Sequence, residues 1–165
     1  MTTENIKNKV WENEGKTYGF VDKETGYSCF IYRHSRYGHL CGYVDVPRNH
    51  PLYGIDHANE IFDMITGDIK VHGGISFTGR LNNPCNNKEL PDYLDDEHDW
   101  LIGFDCNHAE DYAPFRPCSE SEVRELNQEY RTARYVADEC RKLAKQLKEL
   151  EDFDIRDLCD YCRVL

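Results

Sequence analysis

Trp100-Leu101-Ile102-Gly103-Phe104-Asp105-Cys106-Asn107-His108-Ala109-Glu110-Asp111 is the stretch from which the rest of the chain is best read. Trp100, Ile102 and Phe104 alternate, which is the period of a half-buried strand. Asp105 then points away from those three, toward the face shared by Leu101 and Gly103. Gly103 leaves that face bare beside Asp105, so another group can come close. Just past the strand stand Cys106, His108, Glu110 and Asp111. A strand that runs without a break into imidazole, thiol and carboxylate groups marks a candidate site at its end, and His72 is expected to join it.

Residues 69–77 are the expected neighbouring strand, with Val71, Ile75 and Phe77 toward the core and His72, Gly74, Ser76 and Thr78 on the other side. Gly73-Gly74 in mid-strand packs nothing. The pair signals either the close approach of a ligand or another backbone, or a β-bulge. Further back, 18–21, 27–34 and 39–46 alternate apolar and polar residues or are rich in aromatic and β-branched ones. Their links, 22–26 and 35–38, are too short for parallel crossovers, so the three form an antiparallel meander. Residues 56–65 fit a short helix started by Asp56, with Ile61, Phe62 and Ile65 on one face.

Ser119 with Glu122 makes a capping box. Val123, Leu126, Tyr130, Ala133, Ala137, Cys140, Ala144 and Leu147 follow at spacings of three and four, and no Gly or Pro interrupts 119–150. The expected fold is α+β: an antiparallel sheet of about five strands covered by one long C-terminal helix, plus a short helix near 56–65. The apolar stripe can cover the sheet, or its heptad spacing can support a homo-oligomer. The organisation is one domain over 1–165: an N-terminal arm at 1–15 with Val10 and Trp11 tucked down, sheet and loops at 18–118, the helix at 119–150 and a tail at 151–165.

The chain is acidic, with net charge −11 and a pI of about 5.0. Such a chain repels phosphate backbones, which argues against extended nucleic acid as a partner. The polar start carries no signal-peptide pattern, and no apolar run reaches the ~20 residues of a membrane span. A cytoplasmic protein is expected, and its eight cysteines are then mostly reduced and buried. Cys159 and Cys162 have the C-x-x-C form without a second pair at matching spacing. Residues 80–99 read as a solvent-facing excursion ending in a run of acids.

The residues at the strand end admit three chemistries. His72, Asp105, His108 and Asp111 could hold a divalent metal such as zinc, manganese or iron with an open position for water, as in a metal-dependent hydrolase. Cys106 could act as a nucleophile with a histidine base and an aspartate orienter, although alternation aims it into the core. Or no bond is broken, and His72, Gly73, Gly74, Asp105, His108 and Asp111 line a pocket for a small ligand. Tyr53, with Tyr43 and Tyr112, would then stack on its rings, and Arg48, Arg80 or Arg131 would meet phosphate through forked hydrogen bonds. The competing, purely structural reading has Asp105 capping the turn and His108 bonding a loop carbonyl. In the loop 47–54, likewise, Leu52 and Tyr53 either plug the core edge or belong, with Arg48 and His50, to a binding surface.

Several of these pieces carry a resemblance. Gly42-Tyr43-Val44 with Val46-Pro47 and His50-Pro51-Leu52-Tyr53-Gly54, then Val71-His72-Gly73-Gly74-Ile75-Ser76-Phe77, then Gly103-Phe104-Asp105-Cys106, His108-Ala109 and Asp111, and finally Tyr130-Arg131, are similar to motifs of short uncharacterised bacteriophage and prophage proteins. The likeness spans roughly 38–147 and leaves out the acidic stretch 88–99 and the cysteine-bearing tail. It implies a phage-type protein in the cytoplasm of a bacterial host. By analogy of class, small phage accessory proteins often disarm host defence, some by capturing or cleaving nucleotide signals such as a cyclic nucleotide or an ADP-ribose derivative. A third use, binding a host protein through the helix or the acidic face, is also open.

Overall fold

The computed structural model describes residues 2–80, 100–154 and 156. The acidic stretch 88–99 and the Cys159/Cys162 pair lie outside them. The expected meander is present as β1 (Thr17–Val21), β2 (Ser28–Arg33) and β3 (Leu40–Asp45). β4 (Phe77–Gly79) and β5 (Leu101–Asp105) complete a five-stranded antiparallel sheet in the spatial order β1-β2-β3-β5-β4. The first link is tight because Asp22 Oδ2 accepts from the Thr25 amide and hydroxyl at 3.0 and 2.7 Å.

Alternation along the strands divides the sheet into two faces. Leu40, Val44, Ile102 and Phe104 belong to the main core. Leu101 lies on the other face with Phe30, Tyr43 and Phe77. Phe77 is therefore on the face opposite to the one expected. The bare face of Gly103 is taken by Tyr43, whose ring would lie 2.4 Å from any Cβ at that position.

The helices are α1 (Thr2–Lys7), α2 (Glu60–Thr66), α3 (Glu120–Glu125) and α4 (Ala133–Glu149), with a 3-10 turn at Val10–Asn13. α4 is the long helix over the sheet, and buries Val136, Cys140, Leu143, Ala144 and Leu147 in the core shared with β2 and β3. α2 begins later than expected: Asn59 is its cap, and Asp56 turns the preceding chain by accepting from the Ala58 amide. Phe62 and Ile65 are buried, but Ile61 is exposed. The fold contains no cis peptide bond among the described residues, and none of their helices is long and apolar enough to cross a membrane.

The single helix expected over 119–150 is two. The capping box at Ser119 and Glu122 is there, but α3 stops after six residues and Asn127 turns left-handed at φ 49°. Tertiary contacts take over from local propensity here. The Gln128 side chain donates to the Ala109 carbonyl, and Glu129 pairs in a short parallel bridge with Asp111. This detour buries Tyr130 and carries Arg131 to Asp111 before α4 begins.

The start of α4 is held from far away. Glu14 accepts from the Ala133 amide at 2.8 Å through Oε1, and from Arg33 Nη2 and the Tyr130 hydroxyl at 3.0 and 2.5 Å through Oε2. Trp11 packs on the rings of Tyr112 and Tyr130, so the arm is tucked down as expected.

Candidate functional site

Two loops and the approach to α4 build the site. Of the expected strand at 69–77 only Phe77 is in a strand, β4, and residues 71–74 form a turn closed by the Gly74 amide on the Val71 carbonyl at 2.9 Å. His72 therefore sits in a turn, not on a strand. Gly73 takes φ 65°, and a Cβ there would stand 1.9 Å from the His108 ring. Where the approach of a ligand or another backbone was expected at both glycines, the His108 side chain comes close to Gly73 alone. Gly74, at φ 85°, faces open space.

Asp111 is the hub. Its side chain is 1 % exposed. Oδ2 accepts from His72 Nε2 at 2.8 Å, from His108 Nδ1 at 3.0 Å and from the His108 amide at 3.0 Å. Oδ1 accepts from Arg131 Nε at 2.9 Å, and Arg131 Nη1 donates to Glu129 at 2.6 Å. Burial by itself would raise the Asp111 pKa, but the donors from His72, Arg131 and the His108 amide outweigh it and hold the carboxyl well below its ordinary range. His72 Nδ1 meets the Tyr135 hydroxyl at 2.9 Å, and the His72 amide donates to Glu139 at 2.9 Å. The Arg131 guanidinium lies over the Tyr135 ring at 5.1 Å. His108 is the most open member, with 41 % of its side chain exposed. His72, Gly73, His108, Ala109, Glu110, Asp111 and Arg131 line a shallow hollow of about 430 Å³.

The expected site residues thus divide. His72, Gly73, His108, Asp111 and Arg131 come together, and Gly74 flanks them. Asp105 does not join them. It projects from the sheet face of Cys41 and Leu101, whereas His72 contacts Tyr135 and Glu139 of α4 on the opposite face. Its Oδ1 accepts from the Asn107 amide at 3.0 Å, the turn-capping role. Arg48 and Tyr53 do not line the hollow either; Tyr53 pairs with Arg80, whose Nη2 donates to its hydroxyl at 2.6 Å. His50 and Leu52 of the same loop are core residues. His50 Nε2 bonds the Leu147 carbonyl, and its Nδ1 accepts from the Leu52 amide.

Cys106 is 2 % exposed, and burial pushes its thiol up, which removes it as a nucleophile. Four of the five described cysteines are buried and all five are free. Tyr135 and Glu139 were missed in the sequence. The available signal was the run Arg131, Tyr135, Glu139 at successive spacings of four, which stacks three polar groups beside an otherwise apolar stripe. The chain matches no family model, no curated protein and no solved structure in the comparisons made.

Proposed function

We propose that the hollow over Asp111 binds a small polar ligand and that the protein works by capturing it. The observation that carries this reading is the convergence of His72, His108 and Arg131, from separate segments, on one buried carboxylate at the floor of an open hollow. A volume of about 430 Å³ falls in the range of small-molecule sites. Arg131, held by Asp111 and Glu129, stands in the lining, and the His108 ring, 41 % exposed, is the accessible flat surface. The resemblance to phage proteins extends the proposal to a nucleotide-derived signal, such as a cyclic nucleotide or an ADP-ribose derivative, captured in a bacterial cytoplasm to counter host defence.

The test is recovery of the ligand. Protein purified under mild conditions is heat-denatured and the supernatant analysed by mass spectrometry, in parallel with His108→Ala. A molecule released near one per chain from the parent, and depleted in the variant, supports the proposal. An empty supernatant, together with no thermal shift from a panel of cyclic dinucleotides and ADP-ribose derivatives, refutes it.

A further inference from the structure

The hollow presents a puzzle of charge. Glu110 and Asp111 line it, and Arg131, its one cationic lining residue, is already paired to Asp111 and to Glu129 outside the lining. An anionic ligand would meet more negative than positive groups there. The acceptor count is equally crowded. Without another partner, Asp111 Oδ2 receives three N–H groups, two from imidazole rings and one from the backbone. A carboxylate oxygen has about two lone-pair positions for them. Both difficulties vanish if a cation occupies a common point toward which the two rings turn lone pairs, not protons.

We infer that His72 Nε2, His108 Nδ1 and Asp111 Oδ2 form a divalent transition-metal site, open toward the hollow. One donor atom from each residue lies within 4.8 Å of the others, and no other such group is found among the described residues. Ligands about 2.0–2.2 Å from an ion are spaced on this scale. Two imidazoles and one carboxylate suit zinc, iron(II) or manganese(II) better than calcium or magnesium, which take oxygen donors.

The outer partners fit as well. A ligating histidine commonly donates its other ring N–H to a fixed acceptor, and a ligating carboxylate is itself hydrogen-bonded. His72 Nδ1 has the Tyr135 hydroxyl at 2.9 Å, and Asp111 Oδ1 has Arg131. Tyr135 and Arg131 are thus positioning residues. The inference rests on the hollow being the functional site and deepens that reading: an acidic hollow holds an anionic ligand through the cation, by phosphate, carboxylate or hydroxyl oxygen.

The experiment is calorimetric titration of zinc(II) into chelator-washed full-length protein, repeated with cobalt(II) while the visible spectrum is followed. One ion per chain is expected, with cobalt bands characteristic of nitrogen ligation. His108→Ala, at the open edge of the cluster, should weaken binding at least tenfold. Tyr135→Phe should weaken it about 10–100-fold while the metal-free melting temperature changes little, which a merely structural hydroxyl would not produce. Absence of stoichiometric binding overturns the inference. So does binding that is undiminished in both His108→Ala and His72→Ala, which would place the ion at other histidines or cysteines. Release of an organic ligand from protein that binds no metal leaves the capture reading standing and removes only this one. Metal binding without any ligand does the reverse.

Discussion

Replacing Asp111 with Asn tests the core of the site. The side chain keeps its size and loses its charge. In one amide orientation the new NH2 faces Arg131 Nε, now 2.9 Å from Oδ1. In the other it faces the His72 and His108 donors at Oδ2. Either way donors meet donors in a place that is 1 % exposed. Removing one member of a buried ion pair costs about 3–5 kcal/mol. Arg131 keeps Glu129 and is 17 % exposed, which places the loss at the lower end, about 3 kcal/mol. For a chain of this size that corresponds to a fall in Tm of roughly 6–12 °C. Urea unfolding of metal-free protein, followed by circular dichroism at pH 7, gives the number directly. A double variant with Arg131→Met should lose less than the sum of the two single changes, since each single change strands the other partner. A loss below about 1 kcal/mol, with strict additivity, would refute the description of Asp111 as the hub.

Three further outcomes are expected. His39 is 5 % exposed, and burial, helped by His34, lowers its pKa from 6.5 to about 4. The folded state thus favours the neutral ring: its contribution is complete above pH 6.5 and is lost as pH falls toward 4. The loss amounts to at most about 3 kcal/mol, read as a slope in urea midpoints that His39→Phe should flatten. Gly73→Ala puts a side chain at φ 65° and against His108; a cost of about 1–2 kcal/mol should come with displaced His108 ring signals in NMR spectra, and unchanged signals would contradict the packing. Tyr130→Phe removes the hydroxyl shared by Arg33 and Glu14; denaturation should show a loss of about 1–3 kcal/mol, largely absent when Glu14 is already Gln.

The meander was legible because its strands alternate cleanly and its turns are short, both local properties. Ile102 and Phe104 could be assigned to the core from period alone, and α4 from its stripe, of which Cys140, Ala144 and Leu147 are buried in the core. What failed was non-local. Nothing in residues 126–132 announces a break, because the detour is driven by the Glu129 pairing with Asp111 and by the burial of Tyr130, whose partners lie elsewhere in the chain. His72 and Asp105 were joined on the assumption of paired strands. With 71–74 folded as a turn, the imidazole reaches over to α4, and Asp105 stays on the far side of the sheet. Of the two glycines only Gly73 is closely approached, and by the His108 side chain, not by a ligand or another backbone; Gly74 faces open space. Glu14 could not have been picked out of a polar arm, since its role depends on residues 19 and 119 positions away.

That last separation has a kinetic corollary. The first turn of α4 takes its cap partly from Glu14, so residue 133 is not fully seated until residue 14 arrives. Closure over 119 positions is entropically slow, and such contacts tend to form after local ones. Since Tyr130 and Arg131 are strung between that cap and the Asp111 carboxylate, the chemistry-bearing corner is expected to be among the last parts of the molecule to assemble and among the first to loosen, an order that amide hydrogen exchange would read.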